Sequence, residues 1–277
     1  MELFISSEIS EFFLLFFPAY RPMRRVTNFL LVNLSIADLL MAVINCLFNF
    51  VYMLHRDWWF GDTYCVANNF MATLTVSASV FTLTGITVDR YLAIVKPLQP
   101  RMSKAAAELI IGLIWTCAII LAFPSLLYST TITEPYKGKN RTACILVWPD
   151  GRPTESHMDR IYNVVILLAT YIIPMTVMII CYTAMSRELR RSKAIGEMTR
   201  AQQDSINSKR KIVRLFVFIV ATFGICWLPY HGYFIYTNYY TSVLHSKFIQ
   251  HVYLAFYWLA MCNAMVNPFI YYWINNR

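Results

Sequence analysis

Residues 65–97 read CVANNFMATLTVSASVFTLTGITVDRYLAIVKP, and this stretch decides the fold. Between Asp62 and Asp89 lie 26 residues without a formal charge, more than the ~20 apolar residues that carry a helix across a bilayer core. Such a helix rises ~1.5 Å per residue and sets Cys65 and Arg90 at opposite faces of a membrane. One end can be stapled and the other can signal. At the inner end stands Asp89-Arg90-Tyr91. Charges at membrane depth are costly unless paired or wet, so the adjacent acid and base offset one another until the arginine is offered a better partner. That describes a latch. Read as a bare tripeptide, it also fits an arginine snorkelling at a helix end.

The rest of the chain repeats the pattern. Of 277 residues, 58% are hydrophobic and only 14% charged, whereas a soluble domain carries about a quarter charged residues. Uncharged runs cover 109–133, 161–186, 215–246 and 248–276, and 26–55 is broken only by Asp38. Each is long enough to span a bilayer. A carboxylate in the middle of a span is a functional candidate by default, and Asp38 is one. The expectation is an all-α membrane protein, a single bundle over 1–277 with spans at 28–54, 65–96, 106–128, 161–186, 210–236 and 248–274.

The net charge of +9 does not point to nucleic acid, because its placement follows membrane topology. With Arg90 cytoplasmic, seven of the 24 Lys and Arg lie on the other side: Arg56, Lys137, Lys139, Arg141, Arg152, Arg160 and Lys247. The remaining 17 lie on or near the Arg90 side, which is the positive-inside bias. Membrane lipid is the expected surrounding, and no nucleic-acid partner is expected. Of seven cysteines, five (Cys46, Cys117, Cys181, Cys226, Cys262) fall inside apolar spans, where a thiol packs as a small hydrophobe. Cys65 and Cys144 remain, both on the oxidising outer side, so a disulfide is expected between them. Asn140-Arg141-Thr142 on the same side is a glycosylation sequon with Asn140 as acceptor.

The first 25 residues fit less well. The uncharged run 12–20 has nine residues, about 14 Å as helix against a core of ~30 Å. A span over 1–20 is therefore doubtful, and the first helix reads as truncated or missing. Pro174, Pro229 and Pro268 sit inside three apolar runs and read as kinks, tolerated where neighbours re-satisfy the freed carbonyl. The basic linker from Arg187 to Lys211 reads as a solvated cytoplasmic loop flanked by helical extensions of the adjoining spans.

Taken in order, the motifs resemble the rhodopsin-like, or class A, G-protein-coupled receptors. They are Asn33-Leu34-Ser35-Ile36-Ala37-Asp38, Asp89-Arg90-Tyr91, Trp115, Pro174 with Tyr182, Cys226-Trp227-Leu228-Pro229, and Asn267-Pro268-Phe269-Ile270-Tyr271. The resemblance implies a seven-transmembrane helix bundle in the plasma membrane and begins at about Arg21. No Gly-Asn pair precedes that point. KPLQPRMS, AFPSLLYSTT, VWPDG, SKRKIVRLFVF, CWLPYH and KFIQHVYLAFYWLAM look like the tachykinin, or neurokinin-like, branch in an invertebrate form. By that resemblance the ligand is a short amidated neuropeptide. The partner is a heterotrimeric G protein of the phospholipase-activating class, acting through calcium.

The resemblance also assigns roles. Asn45, Asn49 and His231 match positions that hold peptide, with Phe234, Tyr253 and Tyr257 as an aromatic wall; interhelical hydrogen bonding is the plainer reading of the asparagines. Ser125 and Asn163 stand where vertebrate members carry Gln and His, which implies a different peptide preference. Trp227 beside Pro229 is placed to pass a push from the pocket into movement of its helix. Tyr182 and Tyr271 are phenols that could meet Arg90 once it leaves Asp89. Asp38, Ser79, Asn263 and Asn267 form a candidate site for an allosteric sodium ion, or equally a structural polar network; no other cofactor is expected. An opsin is excluded because 248–276 holds no lysine, and an amine receptor because Ala72 stands where its acid would be. Neither an HExxH motif nor a GxSxG elbow occurs, which argues against an enzyme. A channel or transporter, or a receptor for another peptide, is the alternative.

Overall fold

The sequence around Cys65 forms one uninterrupted helix, α2, over Gly61–Val95, and the other elements pack around it. In this computed structural model, residues 26–99, 102–136, 139–151, 155–194, 200–240, 243 and 248–275 are described. Side chains at 26–28, 136, 139, 192–194, 201, 202, 205, 212, 215, 250 and 265–275 lie outside that description. So does the doubtful first span at 1–20.

Helix α1 covers 26–55 as Val26–Leu40, a wider π-turn Met41–Cys46, and Leu47–His55. It stops at Arg56, which takes a left-handed conformation (φ 55°) and donates its N–H to Tyr52 O at 2.7 Å. Helix α3, Lys104–Tyr128, starts at Ser103, whose Oγ accepts the Ala106 N–H at 3.1 Å. This is the N-cap contact that satisfies one otherwise orphaned donor. Helix α4 covers 157–194 as His157–Leu167, a second π-turn Leu168–Ile172, and Ile173–Ala194. Pro174 follows that turn, where Ile173 N–H reaches back to Leu168 O. Helix α5 runs over Arg200–Tyr239 with Pro229 inside it, and α6 over Ile249–Asn275.

Among the described residues, five stretches are long and apolar enough to cross a membrane: Phe29–His55, Gly61–Val95, Lys104–Tyr128, His157–Arg191 and Ile206–Tyr239. A hydroxyl-rich helix such as α2 survives in lipid in part because four of its threonine hydroxyls are satisfied within the helix. Thr75 donates to Met71 O, Thr82 to Ala78 O, Thr84 to Val80 O and Thr87 to Leu83 O, at 2.6–2.9 Å. Each bond returns to the preceding turn, so it needs no neighbouring helix.

Helix α2 packs on α1, α3 and α4, and α5 packs on α6 and α4. Three helices are pinned by Asn33: its Nδ2 donates to Thr82 Oγ1 at 2.8 Å, and its Oδ1 accepts from Trp115 Nε1 at 2.8 Å. Trp115→Phe leaves that amide oxygen unpaired, at a cost of about 1–3 kcal/mol. The expected result is a melting temperature lower by roughly 2–12 °C, at ~2–4 °C per kcal/mol, read by thermal unfolding in detergent.

The expectation of an all-α chain holds for the bundle but misses a hairpin outside it. Strands β1, Ser129–Tyr136, and β2, Lys139–Leu146, pair antiparallel with Thr131 opposite Cys144. The β-branched run Thr130-Thr131-Ile132-Thr133 is the signal for it.

Candidate functional site

Viewed along α2, three polar layers cross the bundle. At the inner end, Arg90 Nη2 lies 3.2 Å from Asp89 Oδ2, with the two side chains 21% and 15% exposed. Tyr91 is partly buried against the core. Tyr182 is buried, and its phenol shares a 3.1 Å hydrogen bond with Thr87 Oγ1, one turn before Arg90. The two helices are thus already joined next to the arginine. Arg210 Nη2 on α5 donates to Leu189 O at the end of α4, at 2.9 Å. The expected helical extensions into the basic linker are present: α4 continues to Ala194 and α5 begins at Arg200. The side chains of Asn267, Pro268 and Tyr271 on α6 lie outside the described residues.

In the middle layer, Asp38 Oδ1 accepts from Ser79 Oγ at 2.9 Å, and Asp38, Ser79 and Asn263 are all buried. Carboxylate, hydroxyl and amide oxygens are the donor types that suit a small hard cation; the side chain of the fourth expected residue, Asn267, lies outside the described residues. Trp227 is buried, with ring centroids at 6.2 Å from Phe223, 5.5 Å from Tyr230 and 5.9 Å from His231. An indole in such a stack moves only with its neighbours.

The outer layer is an open cavity of about 620 Å³. Asn45, Asn49, Tyr253, Tyr257 and His231 line it, Trp227 and Ser77 lie among its deeper residues, and Thr142 to Ile145 of the hairpin contribute its outer part. One phenol organises the wall between α1 and α6: Tyr257 Oη donates to Asn45 Oδ1 at 2.9 Å and accepts from Asn49 Nδ2 at 3.1 Å. Asn45 Nδ2 in turn donates to Asn68 Oδ1 on α2, at 3.2 Å. Both asparagines therefore bridge helices while facing the cavity. Trp227 Nε1, Ser77 Oγ and His231 Nε2 are buried with no hydrogen-bond partner among the described residues. They are donors or acceptors for a ligand to meet.

Two placements differ from the sequence expectation. Phe234 is not on the cavity wall; it packs behind it, 4.9 Å from the Tyr230 ring and 6.1 Å from Tyr253. Ser125 and Asn163 do not line the cavity either. Ser125 Oγ shares a hydrogen bond with the Tyr162 hydroxyl (3.2 Å), and Asn163 Nδ2 donates to Asp159 O (2.9 Å). Both are structural ties between the outer ends of α3 and α4, or within α4.

The hairpin is held over the cavity by the expected disulfide Cys65–Cys144 and by two carboxylates missed in the sequence. Asp57 Oδ1 accepts the Thr142 N–H at 2.7 Å, and Asp62 Oδ1 accepts the Thr131 N–H at 2.8 Å. One acid thus grips each strand. The Thr142 amide, helped by the Trp59 indole, holds the Asp57 carboxyl below its usual range. Trp58 is buried beneath, its N–H bonded to Thr142 O at 2.9 Å and its indole to Gly61 O at 2.8 Å. Gly61 turns the chain into α2 at φ 78°, a conformation that favours glycine. Asn140 is exposed on β2.

Comparison with known proteins gives the same reading. A chain from Drosophila melanogaster, Tachykinin-like peptides receptor 86C, is 56% identical over 259 residues, covering 93% of this chain and 51% of that protein. Tachykinin-like peptides receptor 99D of the same fly is 46% identical over 256 residues, covering 92% and 49%. The human Neuromedin-K receptor is 43% identical over 259 residues, covering 94% and 54%. This chain spans about half the length of the curated relatives it matches. The family described as 7 transmembrane receptor (rhodopsin family), a receptor rather than an enzyme family, matches residues 12–271. With that match over nearly its whole length, and with helices, hairpin and disulfide arranged as above, the chain belongs to the rhodopsin family of seven-transmembrane receptors.

Proposed function

We propose that this protein is a plasma-membrane receptor for a tachykinin-like amidated neuropeptide, signalling through a heterotrimeric G protein to phospholipase C and calcium. The observation that carries the reading is the outward cavity, in which Asn45, Asn49 and Tyr257 form one hydrogen-bonded wall facing unpartnered groups on Trp227 and His231. Its ~620 Å³ lies within the ~300–1,000 Å³ range of ligand sites. That volume suits the end of a peptide, with the remainder running out past the hairpin. An amide terminus is neutral and both donates and accepts, matching a floor of neutral polar groups.

Signalling follows from the layers below. A ligand pressing on the Trp227 stack shifts α5 at Pro229. At the inner end, Arg90 leaves Asp89 for the Tyr182 phenol or the G protein. The Tyr271 phenol and the Asn267-Pro268 pair complete this switch from α6. Asp38, Ser79, Asn263 and Asn267 would hold a sodium ion that supplies positive charge to the buried carboxylate and stabilises the resting arrangement. The spans form one bundle, and Asn140 carries an outward-facing glycan.

The test is a panel of amidated and free-acid peptides applied to cells expressing the chain, with calcium release as readout. The amidated forms are expected to act and the free acids to fail. Asn49→Ala and His231→Ala are each expected to weaken peptide affinity about tenfold, the effect of one lost hydrogen bond in a buried site. Unchanged affinity in both would place the peptide elsewhere. Ion flux without any G-protein response would favour a channel instead.

A further inference from the structure

We propose that Arg56, on the rim of the outward cavity, selects peptides that carry a carboxylate about three to five residues before the amidated end, the spacing set by helix rise and strand length. The inference rests on the peptide reading above and adds the charge that such a peptide must bear. Along α1, the face that carries Asn45 and Asn49 continues through Tyr52 and Met53 to Arg56, and all of these line the cavity. Arg56 stands seven residues beyond Asn49 and eleven beyond Asn45, which is about 10 Å and about 16 Å of helix at ~1.5 Å per residue. An extended peptide advances ~3.3 Å per residue. One whose amide end meets the two asparagines therefore brings its third to fifth preceding residue level with the arginine.

The backbone at Arg56 points the same way. With φ 55°, it is the one non-glycine residue among the described residues in the left-handed region. That conformation is costly for an L side chain, and glycine or asparagine ordinarily takes it where a helix ends. A long cation at a position that favours a small residue is a local outlier, and such outliers cluster at ligand clamps. The charge is also uncommitted. Three charged residues line the cavity, Arg56, Glu134 and Arg141. Glu134 and Arg141 stand opposite each other in the hairpin register, so the hairpin's own charges are matched. Arg56 is exposed and makes no ion pair among the described residues. Its sequence neighbour Asp57 is engaged elsewhere: Oδ1 accepts the Thr142 N–H at 2.7 Å, and Oδ2 accepts the Trp59 indole N–H at 2.9 Å. The rim thus presents a planar guanidinium, a fork of N–H donors that a carboxylate meets with both oxygens. A peptide without an acid at that height leaves the cation to water.

The test is competition binding on membranes from cells expressing the full chain. The probe is the most active amidated peptide of the calcium panel, remade with Asp, Asn or Lys at the third, fourth or fifth residue before the amide. On the wild-type chain, Asp at one or more of these positions is expected to bind about fivefold more tightly than Asn, the upper end for an exposed ion pair, and Lys more weakly than either. The preference should fade in ~0.5 M salt. Arg56→Asn and Arg56→Gly suit the left-handed backbone, so the melting temperature should hold while the Asp and Asn peptides become equal. Arg56→Lys should keep part of the preference, and Arg56→Glu should reverse it toward Lys. Equal affinity of the Asp and Asn peptides at all three positions on the wild-type chain would overturn the proposal, as would a preference that survives Arg56→Asn. Either result leaves the binding of amidated peptides, and with it the peptide reading, in place. Failure of every amidated peptide to bind would remove both.

Discussion

Replacing Arg90 with Ala is expected to silence the calcium response while peptide affinity stays near wild type. The arginine and the cavity occupy opposite ends of α2, and substitutions far apart without shared partners act independently. At the inner end, the 3.2 Å pair with Asp89 is mostly buried, and removing one partner of such a pair costs about 2–5 kcal/mol. The signalling loss has another origin: without the guanidinium nothing at that position can reach Tyr182 or the G protein, so peptide-driven calcium release should fall to the level of cells that lack the receptor. Asp89→Asn keeps the arginine but removes its restraint, so signalling without peptide should rise. Calcium flux and radioligand binding on the same cells separate the two effects. A normal response from Arg90→Ala would remove the latch from the mechanism.

The second large effect is expected from Cys144→Ser. The bridge Cys65–Cys144 has a sequence separation of 79, and closing a loop of that size is worth about 4 kcal/mol in the chain-entropy model. That is a large share of the ~5–15 kcal/mol that holds a typical domain folded. At ~2–4 °C per kcal/mol, melting should fall by roughly 8–16 °C. Peptide affinity should fall too, because Thr142 to Ile145 line the cavity mouth. Cys65→Ser should match it, and the double variant should be no worse than either, since all three lose one bond. Unchanged melting of the single variants would show that Asp57 and Asp62 hold the hairpin alone.

What could be read in the sequence was whatever has a long period or a specific composition. Charge-free runs announced the helices, and the Lys and Arg bias oriented them. The cysteine tally isolated Cys65 and Cys144. The motif residues, read in order, led to the family. What escaped depends on local geometry or on partners far away in the chain. The π-turns at Met41–Cys46 and Leu168–Ile172 each shift the register by a single residue, which hydrophobicity does not record. The hairpin escaped as well, although its β-branched strand is in view. Asp57 and Asp62 escaped because nothing local shows that Thr142 and Thr131 come to meet them. The resemblance alone puts Phe234 on the wall; its actual side of α5 depends on how it packs with Tyr230 and Tyr253.

The distribution of cross-helix hydrogen bonds divides the bundle mechanically. Asn33, Ser79 with Asp38, Asn45 with Asn68, and Tyr257 rivet α1, α2, α3 and α6 into one frame. Helix α5 is tied to α4 through Tyr171 to Gly224 O and Arg210 to Leu189 O. A helix otherwise held by apolar contact slides at little enthalpic cost, while a riveted one does not. The riveted frame is thus a stator, and α5, which carries Trp227, Pro229 and His231, is the helix placed against it as a rotor.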